Sequence, residues 1–210
     1  MKKLLLFTAL IFSFVGFAQD LDNNEAAIDS LETKIKRLSI GVKVGIPNVI
    51  SLSGEYTTPL LNNRIAPYID FSQFDVNDDE TEIGLGYNEF GVNIYLGDQG
   101  KGLYAALGAG NLSTDLTFYE DLDNGGRGKG TTSLDIKSTN LKLGVKTGGR
   151  IYFRFEFGYG FTSDIPEDIT ITLREIDGSN TEVDVFEFPT IPGVGTQGIL
   201  IGNFGFGVSF

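Results

Sequence analysis

The sequence predicts an all-β fold: an eight-stranded antiparallel up-and-down transmembrane β-barrel preceded by a short N-terminal helix. Three observations carry that prediction. From Leu38 onward apolar residues recur at every second position, the period of a strand rather than of a helix. Gly accounts for 28 of the 210 residues, well above its usual share, and it gathers on the polar side of the alternation. Between the alternating segments, short and long connections follow one another in turn.

The first residues read as an export signal. Met1-Lys2-Lys3 is a positive start, Leu4 to Phe17 is apolar apart from Thr8, Ser13 and Gly16, and Gly16-Phe17-Ala18 leads into polar Gln19-Asp20. This pattern predicts a secretory signal peptide over residues 1–18, cleaved after Ala18. The apolar run covers about 14 residues, whereas a membrane-crossing helix needs roughly 20. The net charge is −12, and losing Lys2 and Lys3 without any acid brings it to −14.

Residues 19–37 form a periplasmic lead-in. Ile28, Leu31, Ile35 and Leu38 are spaced by three or four, with acids early and Lys34, Lys36 and Arg37 late, an order that suits a helix dipole. A short amphipathic helix is expected here.

The barrel is expected over 38–210. Its clearest strand is Arg150 to Thr162, where Ile151, Phe153, Phe155, Phe157, Tyr159 and Phe161 share one face and Tyr152, Arg154, Glu156, Gly158 and Gly160 the other. The same split recurs seven times. Ile40, Val42 and Val44 oppose Gly41 and Lys43; Ile50, Leu52 and Tyr56 oppose Ser51, Ser53 and Glu55; Ile65, Ile69 and Phe71 oppose Tyr68, Asp70 and Ser72. Phe90, Val92 and Ile94 oppose Glu89, Gly91, Asn93 and Tyr95; Leu103, Ala105 and Leu107 oppose Tyr104 and Gly108; Leu141, Leu143 and Val145 oppose Lys142, Gly144 and Lys146. At the end, Leu200, Phe204, Phe206, Val208 and Phe210 oppose Ile201, Asn203, Gly205, Gly207 and Ser209.

Two solvents compete for the apolar face. In a soluble barrel it points inward, and in a membrane barrel it meets lipid while the polar face lines the interior. The polar face is rich in Gly and small residues, which suits a narrow interior. Its charges balance: Lys43, Lys142, Lys146 and Arg154 stand against Glu55, Asp70, Glu89 and Glu156 in a chain that is otherwise strongly acidic. Balance of that kind is expected of ions sealed away from water, which must pair. Tyr56, Tyr95, Tyr119 and Tyr159 lie near strand ends, where an aromatic girdle would sit. The lipid-facing reading is therefore adopted, with a soluble periplasmic ligand-binding β-barrel as an alternative.

Connection lengths agree with it. Pro59 to Asn63, Gly97 to Lys101 and the Gly148-Gly149 turn are short. Gln73 to Glu82, Glu120 to Thr132 and Ser163 to Gln197 are long and carry most of the acids, while the first connection, at Pro47-Asn48, is short. Bacterial membrane barrels have short periplasmic turns and longer external loops. Within the last connection, 169–173 and 182–188 flank Asp177-Gly178, a hairpin turn signal. They are expected to rise above the membrane, a ten-stranded barrel being the alternative.

The closing segment Phe204-Gly-Phe-Gly-Val-Ser-Phe210 resembles the last strand of bacterial outer-membrane β-barrels, and Leu38-Ser-Ile-Gly-Val-Lys-Val-Gly45 is similar to the opening strand of the small outer-membrane barrels (OmpA/OmpX/OmpW-like) abundant in Bacteroidota. The resemblance covers 38–210. It implies a Gram-negative outer-membrane location, outer-membrane lipid as surroundings, and reading of the terminal aromatic Phe210 by the barrel-assembly machinery. The absence of Trp departs from the usual girdles.

Composition removes much chemistry. Without His or Cys there is no thiolate, disulfide, Cys/His zinc site or His-based acid–base catalysis. A charge of −12 argues against nucleic acid as a partner. Glu156 beside Arg154 reads as one end of an interior ion pair rather than as a catalytic acid. Asp121-Leu-Asp123-Asn-Gly125-Gly126 resembles the start of a calcium loop but has Thr132 at the closing position, and the acid run Asp75 to Glu82 is the other candidate for divalent cations. Gly84-x-Gly86 and Gly125-Gly126-x-Gly128 lead into no helix, so they do not read as phosphate cradles. No enzyme, cofactor or resident metal is expected. The reading is a barrel plugged by Lys43, Glu55, Asp70, Glu89, Lys142, Lys146, Arg154 and Glu156, with a structural or interaction role exercised through acidic external loops. The alternative role is a narrow porin-like channel for small or hydrophobic solutes.

Overall fold

The computed structural model describes residues 35–77, 81–121, 126–162, 165, 168–176, 181–187, 191, 193–195 and 197–210. The barrel unit spans Lys36–Phe210. The expected signal peptide (1–18) and lead-in helix (19–37) lie outside the described residues, except for Ile35 to Arg37, which are not helical.

The strands are β1 (Leu38–Ile46), β2 (Val49–Tyr56), β3 (Ile65–Asn77), β4 (Thr81–Tyr95), β5 (Gly102–Asp121), β6 (Arg127–Lys146), β7 (Ile151–Phe161), β8 (Asp168–Glu175), β9 (Thr181–Glu187), β10 (Val194–Gly195) and β11 (Gly198–Ser209). Each of β1 to β6 pairs antiparallel with the next, β7 pairs with β11, and β11 returns to β1, so eight strands close a barrel. Over the rows where all eight strands pair, closure leaves no free edge. One row of partners runs Ser209, Ser39, Glu55, Tyr68, Gly91, Gly108, Asn140, Gly160, Ile199. Once around, it returns to β11 ten residues from its start, from 209 to 199. Such a stagger tilts the strands by ~35–45° and leaves an eight-stranded interior just wide enough for side chains.

The wall is uneven in height. β1 and β2 are joined by Pro47-Asn48, whereas β5 and β6 are 20 residues each and pair without interruption from Gly102↔Lys146 to Asp121↔Arg127. The long loops expected over Gln73 to Glu82 and Glu120 to Thr132 are therefore mostly strand, with β3 reaching Asn77, β4 starting at Thr81 and β6 at Arg127. The physical reason is an inversion of polarity along each strand. On β5 the outward residues change from Leu103, Ala105, Leu107 and Ala109 to Asn111, Ser113 and Asp115, while the inward ones change from Tyr104, Ala106, Gly108 and Gly110 to Leu112, Thr114 and Leu116. On β6 the outward face passes from Val145, Leu143 and Leu141 to Thr139, Lys137, Asp135 and Ser133, and the inward face from Lys146 and Lys142 to Ile136 and Leu134. On β4 and β3 the outward change falls at Phe90/Asn88 and Phe71/Gln73. Below that line the wall is apolar outside and polar inside; above it the wall has the polarity of a soluble sheet.

β8 and β9 form the expected hairpin, and β8 adds to the upper part of β6 through Gly128↔Glu175 and Lys129↔Arg174. Ile171 and Leu173 are buried there, Ile171 lying against Gly130, which has no side chain to obstruct it. The barrel wall itself stays at eight strands.

Of the four tyrosines assigned to a girdle, Tyr56 and Tyr159 stand on the outer face. Tyr95 does not: it follows the phase of Glu89, Gly91 and Asn93, and the pleat turns it into the interior. Tyr119 lies near the top of β5, its hydroxyl donating to Glu82 at 3.1 Å, with Arg127 and Lys129 each 5.3 Å from its ring.

Candidate functional site

The interior holds two strata. The lower one is a single chain of ion pairs. Lys146 Nζ lies 2.6 Å from Glu55 Oε1, and Arg154 Nη2 lies 2.5 Å from Glu55 Oε2. Arg154 continues to Glu156 at 3.7 Å, and Glu156 to Lys43 Nζ at 2.9 Å. Lys43 pairs with Asp70 at 2.8 Å, Lys142 approaches Asp70 at 3.9 Å, and Lys142 meets Glu89 at 2.9 Å. All eight residues named from the sequence thus meet in one cluster of four cations and four anions. Their side chains are no more than 4 % exposed. β1, β2, β3, β4, β6 and β7 all contribute, because Lys43, Glu55, Asp70, Glu89, Lys142, Lys146, Arg154 and Glu156 each occupy an inward position of the pleat.

Burial of ions in a low-dielectric interior is costly unless each also finds hydrogen bonds. Here tyrosines and an asparagine supply them. Tyr104 donates to Glu156 Oε1 at 2.6 Å, Tyr95 to Glu55 Oε2 at 2.9 Å, and Asn93 Nδ2 to the same oxygen at 2.5 Å. Tyr68 donates to Glu89 Oε1, and Tyr87 to Glu89 Oε2 at 2.9 Å. The cations also lie over rings: Lys142 Nζ is 4.5 Å from the Tyr68 centroid and Lys146 Nζ 4.8 Å from that of Tyr152. At the β1–β11 seam Lys146 donates to Ser39, whose hydroxyl bonds that of Ser209 at 2.9 Å.

Tyr87 apart, these tyrosines are members of the network that the sequence reading placed on the polar face without counting them among its partners. The signal was present, since Tyr68, Tyr95, Tyr104 and Tyr152 all share the phase of the charges. Glycines make room for them. A Cβ on Gly108 would sit 2.5 Å from the Tyr68 hydroxyl and 2.6 Å from Glu89 Oε1.

The upper stratum is apolar. Tyr87, Leu112, Ile136, Ile199 and Ile201 form a buried cluster, with Leu85, Leu134, Ile165 and Val194 around it. Ile191, from the connection between β9 and β10, is buried in the same cluster. β6 orders the two strata: read from its upper end, its inward residues are Leu134, Ile136, Ser138, Asn140, Lys142, Gly144 and Lys146. The ion network therefore lies toward the end that holds the chain terminus, and the apolar layer covers it from the other side.

The other candidates named from the sequence fall partly outside the described residues. Of the calcium-like segment, 122–125 lie outside the described residues, as do 78–80 of the acid run. Among the described residues no three acids are grouped closely enough to hold a metal ion. Gly84 and Gly86 lie within β4, not in a loop. Phe210 follows the last residue of β11, its backbone N–H donating to the Leu38 carbonyl at 2.8 Å.

The barrel is similar in fold to a known outer-membrane protein. That protein is a major outer membrane protein from Thermus thermophilus, whose crystal structure matches with a TM-score of 0.53 at 12% identity, over 83% of this chain and 98% of that one. CarO from Acinetobacter baumannii matches with a TM-score of 0.44 at 13% identity, over 85% of this chain and 100% of that one. No family model matches the chain, and no curated protein matches its sequence. At these identities the likeness is one of fold.

Proposed function

We infer that the protein is an outer-membrane β-barrel with a closed interior, whose role is structural or interactive and is exercised by the parts standing above the membrane. The sealed interior carries the reading. Eight ionisable side chains pair with one another inside the wall, and an apolar layer covers them. A porin needs a continuous wet path, and these two strata occupy the path in series.

The lipid surroundings rest on the outer face. Phe153, Phe155, Phe157 and Phe161 of β7 are 52–59 % exposed, and Phe90, Leu103, Leu107, Leu143, Phe204 and Phe206 continue the belt around the wall. Full transfer of such a side chain out of water is worth about 1.5–3 kcal/mol. Halved for partial exposure, the four Phe of β7 alone contribute roughly 3–6 kcal/mol, comparable to the net stability of a small domain. In water this belt would drive aggregation. In hydrocarbon it holds the barrel in place. The 11 residues of β7, tilted by ~40°, rise roughly 27 Å, close to the ~25 Å apolar band of such barrels.

Insertion by the barrel-assembly machinery through Phe210, export through residues 1–18, and attraction of divalent cations to the acidic external segments belong to the same proposal. So does the absence of an enzymatic role.

Two measurements test it. Membrane fractionation with gel mobility before and after boiling reads the lipid environment; the folded barrel is expected in the membrane fraction with heat-dependent mobility. Planar-bilayer recording reads the closed interior; a flat baseline is expected. Recovery of the chain as a detergent-independent monomer in the aqueous fraction overturns the membrane reading, and stable unitary current steps overturn the closed one.

A further inference from the structure

We propose that the outer wall carries a binding groove for a phosphate-bearing lipid of the outward-facing leaflet, built by β4, β5, β6 and β7 at the line where the wall changes polarity. The inference rests on the membrane reading above.

The groove follows from cross-strand register. Phe90, Ala109, Thr139 and Phe161 are successive partners across the four strands, and all four point outward. Two large rings therefore flank two small side chains. Neighbouring strands are ~4.8 Å apart, so the rings stand about 14 Å from each other, the width of two or three acyl chains. The concavity between them has a volume of about 530 Å³. The next outward row toward the membrane interior is Val92, Leu107, Leu141 and Tyr159, so the groove opens downward onto hydrocarbon.

Its upper border is polar. Asn88, Asn111 and Lys137 are partners in the row above and line the same concavity. Lys137 makes no ion pair with any described residue. The nearby outward carboxylate, Asp135, accepts from Asn111 Nδ2 at 3.2 Å. Higher on the same face of β6, Arg127 and Lys129 are gathered on the Tyr119 ring. A chain of net charge −12 thus sets one cation directly above the apolar belt, at headgroup depth, over a slot that accepts acyl chains. Charge and shape together select a lipid whose phosphate headgroup is net anionic rather than zwitterionic.

The chain has no Trp, so an introduced Trp is a unique fluorophore. Two single-Trp variants of the full barrel are made, Leu107→Trp beneath the groove and Leu52→Trp on the opposite wall. Each is reconstituted into phosphatidylcholine vesicles containing a few mole per cent of brominated phosphatidic acid, or the same amount of brominated phosphatidylcholine. The expected result is a several-fold preference for brominated phosphatidic acid in quenching at 107 and none at 52. Lys137→Gln should abolish the preference, Lys137→Arg should keep it, and Ala109→Phe should abolish it by filling the slot. Free inorganic phosphate at millimolar concentration should not displace the lipid. Equal quenching by the two lipids at 107, or a preference that survives Lys137→Gln, overturns the site while leaving the membrane reading standing. Displacement by inorganic phosphate overturns the lipid in favour of a free-anion site. Absence of quenching at both positions overturns the membrane reading and the groove together.

Discussion

Arg154 on β7 and Glu55 on β2 meet at 2.5 Å although their strands are not neighbours in the wall. The pair is a strut across the interior. Lys146 holds the other Glu55 oxygen at 2.6 Å, and Arg154 also approaches Glu156, so the strut joins the two halves of the ion network. Removing one member of a buried pair leaves an uncompensated charge, at a cost of about 3–5 kcal/mol. Arg154→Met is expected to lower the unfolding free energy by that amount, read from urea titrations followed by the loss of heat-dependent gel mobility. Because Glu156→Gln restores the charge balance while Lys43, Lys142 and Lys146 keep Asp70, Glu89 and Glu55, the double variant should be at least ~1 kcal/mol more stable than Arg154→Met alone. A double variant as unstable as the single one would show that the strut acts through packing.

Gly108 faces the Tyr68 hydroxyl and Glu89 where a Cβ has no room. Gly108→Val should displace Tyr68 from its hydrogen bond and cost about 1–3 kcal/mol by overpacking. In a Tyr68→Phe background, which removes the hydroxyl, the same substitution should cost less. Urea midpoints of the four proteins measure this coupling.

The line of polarity inversion on β6 makes a paired prediction. Leu143→Arg puts a cation in the middle of the apolar face and should cost about 2–4 kcal/mol in vesicles. Ser133→Arg lies on the same outward face, five outward positions higher and above the line, and should change stability by no more than ~0.5 kcal/mol. Equal effects at the two sites, in equilibrium unfolding from lipid vesicles, would place the boundary elsewhere.

The two interior strata block passage in series. Ile199→Ser with Ile201→Ser wets the apolar layer but leaves the ion network in place, so bilayer recordings should remain flat. Adding Arg154→Ala should produce current, since both barriers are then breached. Current from the isoleucine variant alone would assign the whole seal to the apolar layer.

Legibility in the sequence followed the constancy of the pattern. β7 is readable at a glance because Ile151 to Phe161 keep one polarity on each face from end to end. The eight interior ions were readable for the same reason, each falling on the polar phase opposite an apolar face. The upper halves of β5 and β6 were not. There Leu112, Leu116, Leu134 and Ile136 share the phase that carries Lys142 and Tyr104 lower down, so the two halves of one strand cancel in a search for a single apolar face. Thr131 and Thr132 then read as loop residues, although they belong to a continuing strand. Tyr95 was obscured differently: tyrosine suits both a girdle and an interior, and only its phase relative to Glu89 separates the two.

The ladder between β5 and β6 runs twenty residues without a bulge or a hinge, through the level at which the outer face changes polarity. Anything that grips the β8–β9 hairpin therefore pulls on a rigid lever rather than on a tether. The load reaches Lys142 and Lys146 as shear along the hydrogen-bonded pair, and no slack segment is interposed to absorb it. A pull on that hairpin would be felt at the ionic strut as mechanical strain, and the tall side of the wall is the handle through which it arrives.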